Sequence, residues 1–182
     1  MNVENMQLIV GEDIVLKHVQ LADAEAIFTA IDSERDYLGK WLPFVEYTQT
    51  LADSELYVDA VLSELERDDN YVFVVLYKKE FAGLIGFKGT DNTNRRTEIG
   101  YWLKERFQKR GIITQSLLRL LEFAFTEMDM HRIQIRCAVG NIPSKNISKR
   151  LGFVLEGIER DGEILSDGNY ICLLYTSPSP RD

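Results

Sequence analysis

The spacing of apolar residues changes period along this chain, and each change marks an element. Residues 14–19 (IVLKHV) predict a first strand, and residues 21–31 (LADAEAIFTAI) place Ala24, Ile27, Phe28 and Ile31 on one helical face. Over residues 38–47 the pattern is lost. Trp41, Leu42 and Phe44 crowd around Pro43 there, a short helix and loop that either caps the core or lines a substrate groove. Residues 53–67 are helical again, and residues 71–77 (YVFVVLY) have the β-branched and aromatic content of a buried strand. Lys78, Lys79 and Glu80 break that run before residues 81–88 (FAGLIGFK) resume it, so a hairpin is expected.

Beyond the turn-rich residues 89–96, the segment TEIGYWL (97–103) alternates. It sets Glu98, Gly100 and Trp102 on one face and Ile99, Tyr101 and Leu103 on the other. Leu117, Leu121, Ala124, Phe125 and Met128 carry helical spacing through residues 114–128. HRIQIRCAV (131–139) alternates once more, with Ile133, Ile135, Cys137 and Val139 together. A helix over residues 144–151, with Pro143 in its first turn, precedes a last strand. The order mixes strands and helices in the manner of an α+β domain covering residues 1–175. The polar TSPSPRD of residues 176–182 is expected to be an unstructured, non-native tail.

Composition narrows the class. A chain of 182 residues fits one domain, and one that size buries roughly 70% of its unfolded surface. No apolar run approaches the length of roughly 20 residues that a membrane span needs, and the first residues carry no basic, apolar leader; the expected address is cytoplasmic. Cys137 and Cys172 are the only cysteines and have no ligand spacing, so no disulfide framework and no metal is expected. A net charge of −8 argues against nucleic-acid binding and suits a cationic partner.

The sharpest chemical signal is FQKRGIIT, residues 107–114, between a strand and a long helix. Gly111 lets backbone approach a ligand closely, and the free N–H groups opening the next helix favour an anion. Lys104, Arg106, Lys109 and Arg110 against Glu105 reverse the acidic balance at this point, which fits a polyanionic cofactor and equally fits a solvated loop whose glycine serves a turn. Neither GxxxxGK nor GxGxxG is present, so the phosphates are not those of an ordinary nucleoside triphosphatase or Rossmann site.

With these residues the chain resembles the GNAT superfamily of N-acetyltransferases, and within it the RimL and RimJ type that acetylates N-termini of ribosomal proteins. The family's Q/R-x-x-G-x-G/A signature matches Gln108, Lys109, Arg110, Gly111 and Ile112, and Ile113 stands where Gly or Ala is usual. NIPSKNISKRLGF, residues 141–153, is similar to the family segment beside the pantetheine arm, with Asn141 and Ser144 at the cofactor-contacting positions. The resemblance spans residues 14–171. It implies the GNAT fold, a mixed and mostly antiparallel central sheet flanked by helices on both faces. It also implies acetyl-CoA as donor, held by Leu103, Gln108, Lys109, Arg110, Gly111, Ile112, Ile113, Thr114, Asn141 and Ser144.

The same resemblance suggests roles. Glu98 is the first choice of base and Glu163 the second. Glu98 has a structural alternative, an ion pair with Arg95 or Arg96, and Glu163 an alternative as an ordinary surface residue. His131 has a suitable intrinsic pKa but opens a strand. Ser144 would donate a hydrogen bond to the departing thiolate, because Ser148 stands where many members carry a tyrosine acid. Backbone N–H groups near Leu103 would meet the oxyanion. A protein N-terminus is the expected acceptor, with small amines such as polyamines or aminoglycosides as the alternative and a non-catalytic acyl-CoA-binding module as a third reading. A second copy, in a homodimer, is an optional partner.

Overall fold

The computed structural model describes residues 6–68, 70–164, 168 and 170–177. Eight strands form one sheet in the order β1-β2-β3-β4-β5-β6-β8-β7. They are β1 (Gln7–Ile9), β2 (Ile14–His18), β3 (Val72–Tyr77), β4 (Glu80–Asp91), β5 (Arg96–Leu103), β6 (Arg132–Ala138), β7 (Val154–Ile164) and β8 (Tyr170–Ser177). All pairings are antiparallel except β5 with β6. The helices are α1 (Ala24–Ser33), α2 (Arg35–Gly39), α3 (Phe44–Tyr47), α4 (Leu51–Asp68), α5 (Ile112–Thr126) and α6 (Ile142–Arg150).

Alternation along the central strands sorts the core into two layers. Phe73 and Val75 of β3, with Ile85 and Phe87 of β4 and Ile99 of β5, pack under Leu117, Leu120 and Phe123 of α5. Val72, Val74, Leu84 and Trp102 face the other way, against Ile27 and Ile31 of α1 and Val58 of α4. Leu117 and Leu120 are fully buried, each worth about 1.5–3 kcal/mol of transfer free energy. The sheet is therefore covered on both faces, as the resemblance implies.

Several elements differ in extent from the sequence expectation, each for a local reason. α5 begins at Ile112 and not at residue 114, because Gly111 at φ 73° stops the preceding turn and accepts the first intrahelical bond from Gln115 N–H. α6 begins at Ile142, because Asn141 is its N-cap and its Oδ1 accepts from Ser144 N–H. Residues 38–47 hold parts of two short helices, α2 and α3. Arg35 joins them to the following loop through the carbonyls of Val45 and Thr48, at 2.9 and 2.7 Å. β8 runs to Ser177, two residues into the segment expected to be unstructured, and it fills the slot between β6 and β7. Residues 178–182 lie outside the described residues.

One irregularity positions everything that follows. β5 pairs with β4 along its length, from Gly83↔Leu103 to Asp91↔Arg96. With β6 it pairs only at Arg96↔Arg132, Thr97↔Ile133 and Glu98↔Gln134. Past Glu98 and Gln134 the two parallel strands part, and β6 turns its remaining length to β8. The sheet splays open there, leaving backbone of residues 99–103 facing a gap.

Candidate active site

Two cavities meet at the splay. The first, about 550 Å³, opens at the N-terminus of α5. Leu103, Gln108, Lys109, Gly111, Ile112, Ile113, Thr114, Asn141 and Ser144 all line it. Lys109 and Gly111 both have positive φ, 61° and 73°, which bends the loop around the cavity mouth. The first helical N–H groups, those of Ile112, Ile113 and Thr114, precede the first intrahelical bond and have no acceptor within the helix. Ile113 belongs to the core at 6% exposure while also lining this cavity.

The cation cluster of the loop is only partly aimed at this cavity. Lys109 lines it. Arg110 instead places its guanidinium 5.9 Å from the ring centres of both Tyr77 and Phe107, and Arg106 pairs with Glu80 and lies over Phe107. A second cation arrives from elsewhere: Arg150, at the end of α6, lines the cavity and donates from Nη1 to Thr114 Oγ1 at 2.9 Å. Tyr37 of α2 accepts from Gln108 Nε2, and burial with Glu105 and Glu34 nearby pushes its phenol up to about 12. Glu34 Oε2 accepts from Glu105 N–H at 2.8 Å, so α2 and its entry clasp the loop at two points.

The second cavity, about 720 Å³, lies on the opposite side of the splay. Trp41, Leu42, Tyr101, Trp102, Asn141 and Ser144 line both cavities and mark where they join. At that junction Ser144 Oγ and Tyr101 Oη are 2.8 Å apart. Cys137, a buried free thiol, also lines the second cavity; burial pushes it up, and contact with Ser144 and Lys145 pulls the other way. Ser148 is buried within the structure and lines neither cavity, and its Oγ has no hydrogen-bond partner among the described residues.

The two carboxylates singled out from sequence part company. Glu98 is 6% exposed, in neither cavity wall, and its carboxylate is taken up by three donors. Lys88 Nζ lies 2.9 Å from Oε1, while Arg136 Nε at 2.6 Å and Gln134 Nε2 at 3.2 Å reach Oε2. Its partners are not the adjacent arginines, since Arg95 pairs with Asp129 and Arg96 with Asp91. Glu163, on β7, is exposed and lines the second cavity. His131 is exposed ahead of β6 and lines neither cavity.

The charged residues among the described lining of the second cavity are Lys88 and Arg136, both already on Glu98, and the carboxylates Asp53 and Glu163. Asp53 accepts from the N–H groups of Gln49 and Thr50 at the start of α4. Phe44, Tyr47, Leu56 and Tyr57 form an exposed aromatic and aliphatic rim. Sequence reading missed Tyr37, Tyr101 and Arg150 because each reaches the site from a different element. For Tyr101 a signal did exist: the alternation of β5 puts it beside Leu103, which was already assigned to the cofactor.

Comparison with known proteins identifies the family. The model of the acetyltransferase (GNAT) domain family matches residues 13–154. A putative ribosomal N-acetyltransferase, YdaF of Bacillus subtilis, is 33% identical over 95% of this chain and 94% of its own. The ribosomal-protein-serine acetyltransferase of Escherichia coli is 29% identical over 91% of this chain and 93% of its own. Among solved structures, the ribosomal L7/L12 alpha-N-protein acetyltransferase RimL in complex with coenzyme A superposes with a TM-score of 0.91 at 25% identity. That match covers 96% of this chain and 98% of RimL. A cavity at a helix N-terminus, a second cavity meeting it at a splayed sheet, and a family match across most of the chain lead to one conclusion: the chain belongs to the GNAT acetyltransferase family and takes acetyl-CoA as its donor.

Proposed function

We propose that the acceptor is the α-amino group of a protein, of the ribosomal-protein kind for which the relatives are named, and that Glu163 is the base. The observation that carries this reading is the second cavity: its described lining holds few carboxylates and its rim is apolar. A polyamine or aminoglycoside needs several carboxylates, and this wall offers Asp53 and Glu163, the first already accepting from the N–H groups of Gln49 and Thr50. A peptide, with one amine and apolar side chains to lay on Phe44, Tyr47, Leu56 and Tyr57, fits better.

Chemistry favours the same acceptor. At neutral pH roughly a tenth of an α-amino group is already the neutral nucleophile, against well under a thousandth of a lysine amine, so a modest base is enough. Glu163 takes the amine proton, directly or through water. Bound acetyl-CoA supplies the activated thioester carbonyl. The loop at residues 108–114, with Lys109 and Arg150, holds its phosphates, and Asn141 and Ser144 flank its sulfur end. Unpaired backbone N–H groups of β5 beyond Glu98, toward Leu103, are available to the carbonyl oxygen as it gains charge. Nucleophile and donor meet directly, without an acyl-enzyme step. Cys137 keeps its proton because burial disfavours the thiolate. A ribosomal-protein acceptor would place the reaction in the cytoplasm, and no helix among the described residues is long and apolar enough to cross a membrane.

The test is thiol release from acetyl-CoA with three acceptors: a peptide with a free N-terminus, the same peptide N-terminally blocked but carrying lysine, and spermidine. Turnover confined to the free N-terminus supports the assignment. Turnover with spermidine alone makes the acceptor a small amine, and binding of acetyl-CoA with no turnover makes the domain a non-catalytic module.

A further inference from the structure

Ser144 is fixed at the third residue of α6 and its side chain meets the phenol of Tyr101. Its backbone N–H donates to Asn141 Oδ1 at 3.3 Å, and Tyr101 Oη lies 2.8 Å from its Oγ. A serine hydroxyl has one hydrogen to give and two lone pairs to receive. Which way the bond to Tyr101 runs therefore decides what Ser144 has left for a ligand.

The geometry allows either oxygen to donate, and acidity favours the phenol. A phenol is a stronger acid than an aliphatic alcohol and so the better donor of the two. Burial pushes the Tyr101 phenol up to about 12, so it carries its proton at every working pH. Ser144 Oγ then accepts from the Tyr101 phenol, on the β5 side of the splay. Its own O–H remains, at the point shared by both cavities.

We propose that Tyr101 is a positioning residue for the leaving group: by donating to Ser144 Oγ it turns the Ser144 hydrogen toward the sulfur of CoA. The inference rests on the acetyl-transfer reading above. As the amine nitrogen bonds to the acetyl carbon, the C–S pair passes to sulfur, and the amine proton goes to Glu163. Ser144 and Tyr101 keep their protons. An ordinary thiol has a pKa near 8.5, so moving a proton from Tyr101, at about 12, to the thiolate is uphill by roughly 3.5 pKa units. The pair stabilises the thiolate by a charge-assisted hydrogen bond that strengthens as the bond breaks, and it does not need to act as an acid.

The test reads the thiol of CoA itself. CoA is titrated from neutral to alkaline pH in complex with the wild type, Tyr101→Phe, Ser144→Ala and the double variant, following thiolate ultraviolet absorbance against each apoprotein. Wild type should lower the thiol pKa of bound CoA. Tyr101→Phe, which keeps the ring that packs on the core, should raise it by about half to one pH unit, a three- to tenfold loss of thiolate stabilisation. Ser144→Ala should raise it at least as far, and the double variant no further than Ser144→Ala. CoA affinity and melting temperature of Tyr101→Phe stay at the wild-type values, and kcat falls three- to tenfold. A thiol pKa unmoved by Tyr101→Phe, or two effects that simply add, overturns the proposal while leaving acetyl transfer intact. Failure of every protein to bind CoA overturns both.

Discussion

Arg136 on β6 donates from Nε to Glu98 on β5 at 2.6 Å, and Lys88 on β4 holds the other carboxylate oxygen at 2.9 Å. One buried carboxylate is clamped between cations from both neighbouring strands, at the last residue before β5 and β6 part. Its work is to close the sheet at the base of the splay.

Glu98→Gln should therefore act on stability. The amide keeps the shape but removes the charge that Arg136 Nε binds at 2.6 Å, leaving it the longer pair with Glu159 at 3.9 Å, while Lys88 at 58% exposure can turn to water. The expected loss is about 1–3 kcal/mol in a urea melt, with kcat within about threefold of wild type. A hundredfold fall in kcat without loss of stability would restore Glu98 as the base.

Glu163→Gln should behave in the opposite way. Loss of a general base lowers kcat/KM by about 10²–10⁴ near neutral pH, with acetyl-CoA affinity and melting temperature unchanged. The deficit should shrink as pH rises through the pKa of the α-amino group, because the nucleophile then loses its proton unaided. A deficit constant across that range argues for a role in binding the acceptor and not in taking its proton.

Arg150 joins the last turn of α6 to the first turn of α5 through Thr114 at 2.9 Å, beside the phosphate cradle. Arg150→Ala removes a cation that backbone amides do not replace. Calorimetric titration should find acetyl-CoA affinity about five- to tenfold weaker, a change of about 1–1.4 kcal/mol, with acceptor KM unaffected. Unchanged affinity would mean that Lys109 and the helix N-terminus suffice.

His18 gives the fold a pH dependence of its own. It is 2% exposed beside Tyr71 and Phe73, and neither ring nitrogen has a hydrogen-bond partner among the described residues. Burial lowers its pKa, with Asp23 opposing weakly. The unfolded chain then binds a proton at higher pH than the native one. Stability is complete above the unfolded value of about 6.5 and declines as pH falls below it, by at most about 1.4 kcal/mol per pH unit. His18→Phe should flatten the difference between urea melts at pH 7.5 and 5.5. An equal acid loss in the variant would assign the dependence to other groups.

The cofactor half of this site is legible in the sequence because it is local. Gly111, the cations before it and the helix after it lie within a dozen residues, and the cradle is made of backbone. The acceptor half is assembled from distant segments, and there local reading fails. Arg95 and Arg96 are near Glu98 along the chain, but strand register sets Lys88 and Gln134 directly opposite it. Alternation correctly put Tyr101 with Ile99 and Leu103, yet nothing in TEIGYWL says that β6 leaves β5 after Glu98, which is what turns Tyr101 from core filler into cavity wall. The end of β8 was hidden by composition: Thr176 and Ser177 read as tail, whereas the need to pair β6 and β7 draws them into the sheet.

All of the chemistry depends on acetyl-CoA lodging at the N-terminus of α5. Calorimetric titration of acetyl-CoA into the wild type, and into a Gly111→Trp variant whose melting temperature shows it folded, tests this directly. Gly111 lines the cavity and holds φ at 73°, where any side chain is strained, so an indole there should disturb the loop that the cavity opens on. One-site binding to the wild type that is lost in the variant is the predicted result. Equal binding by both proteins, or no binding by the folded wild type, would contradict it.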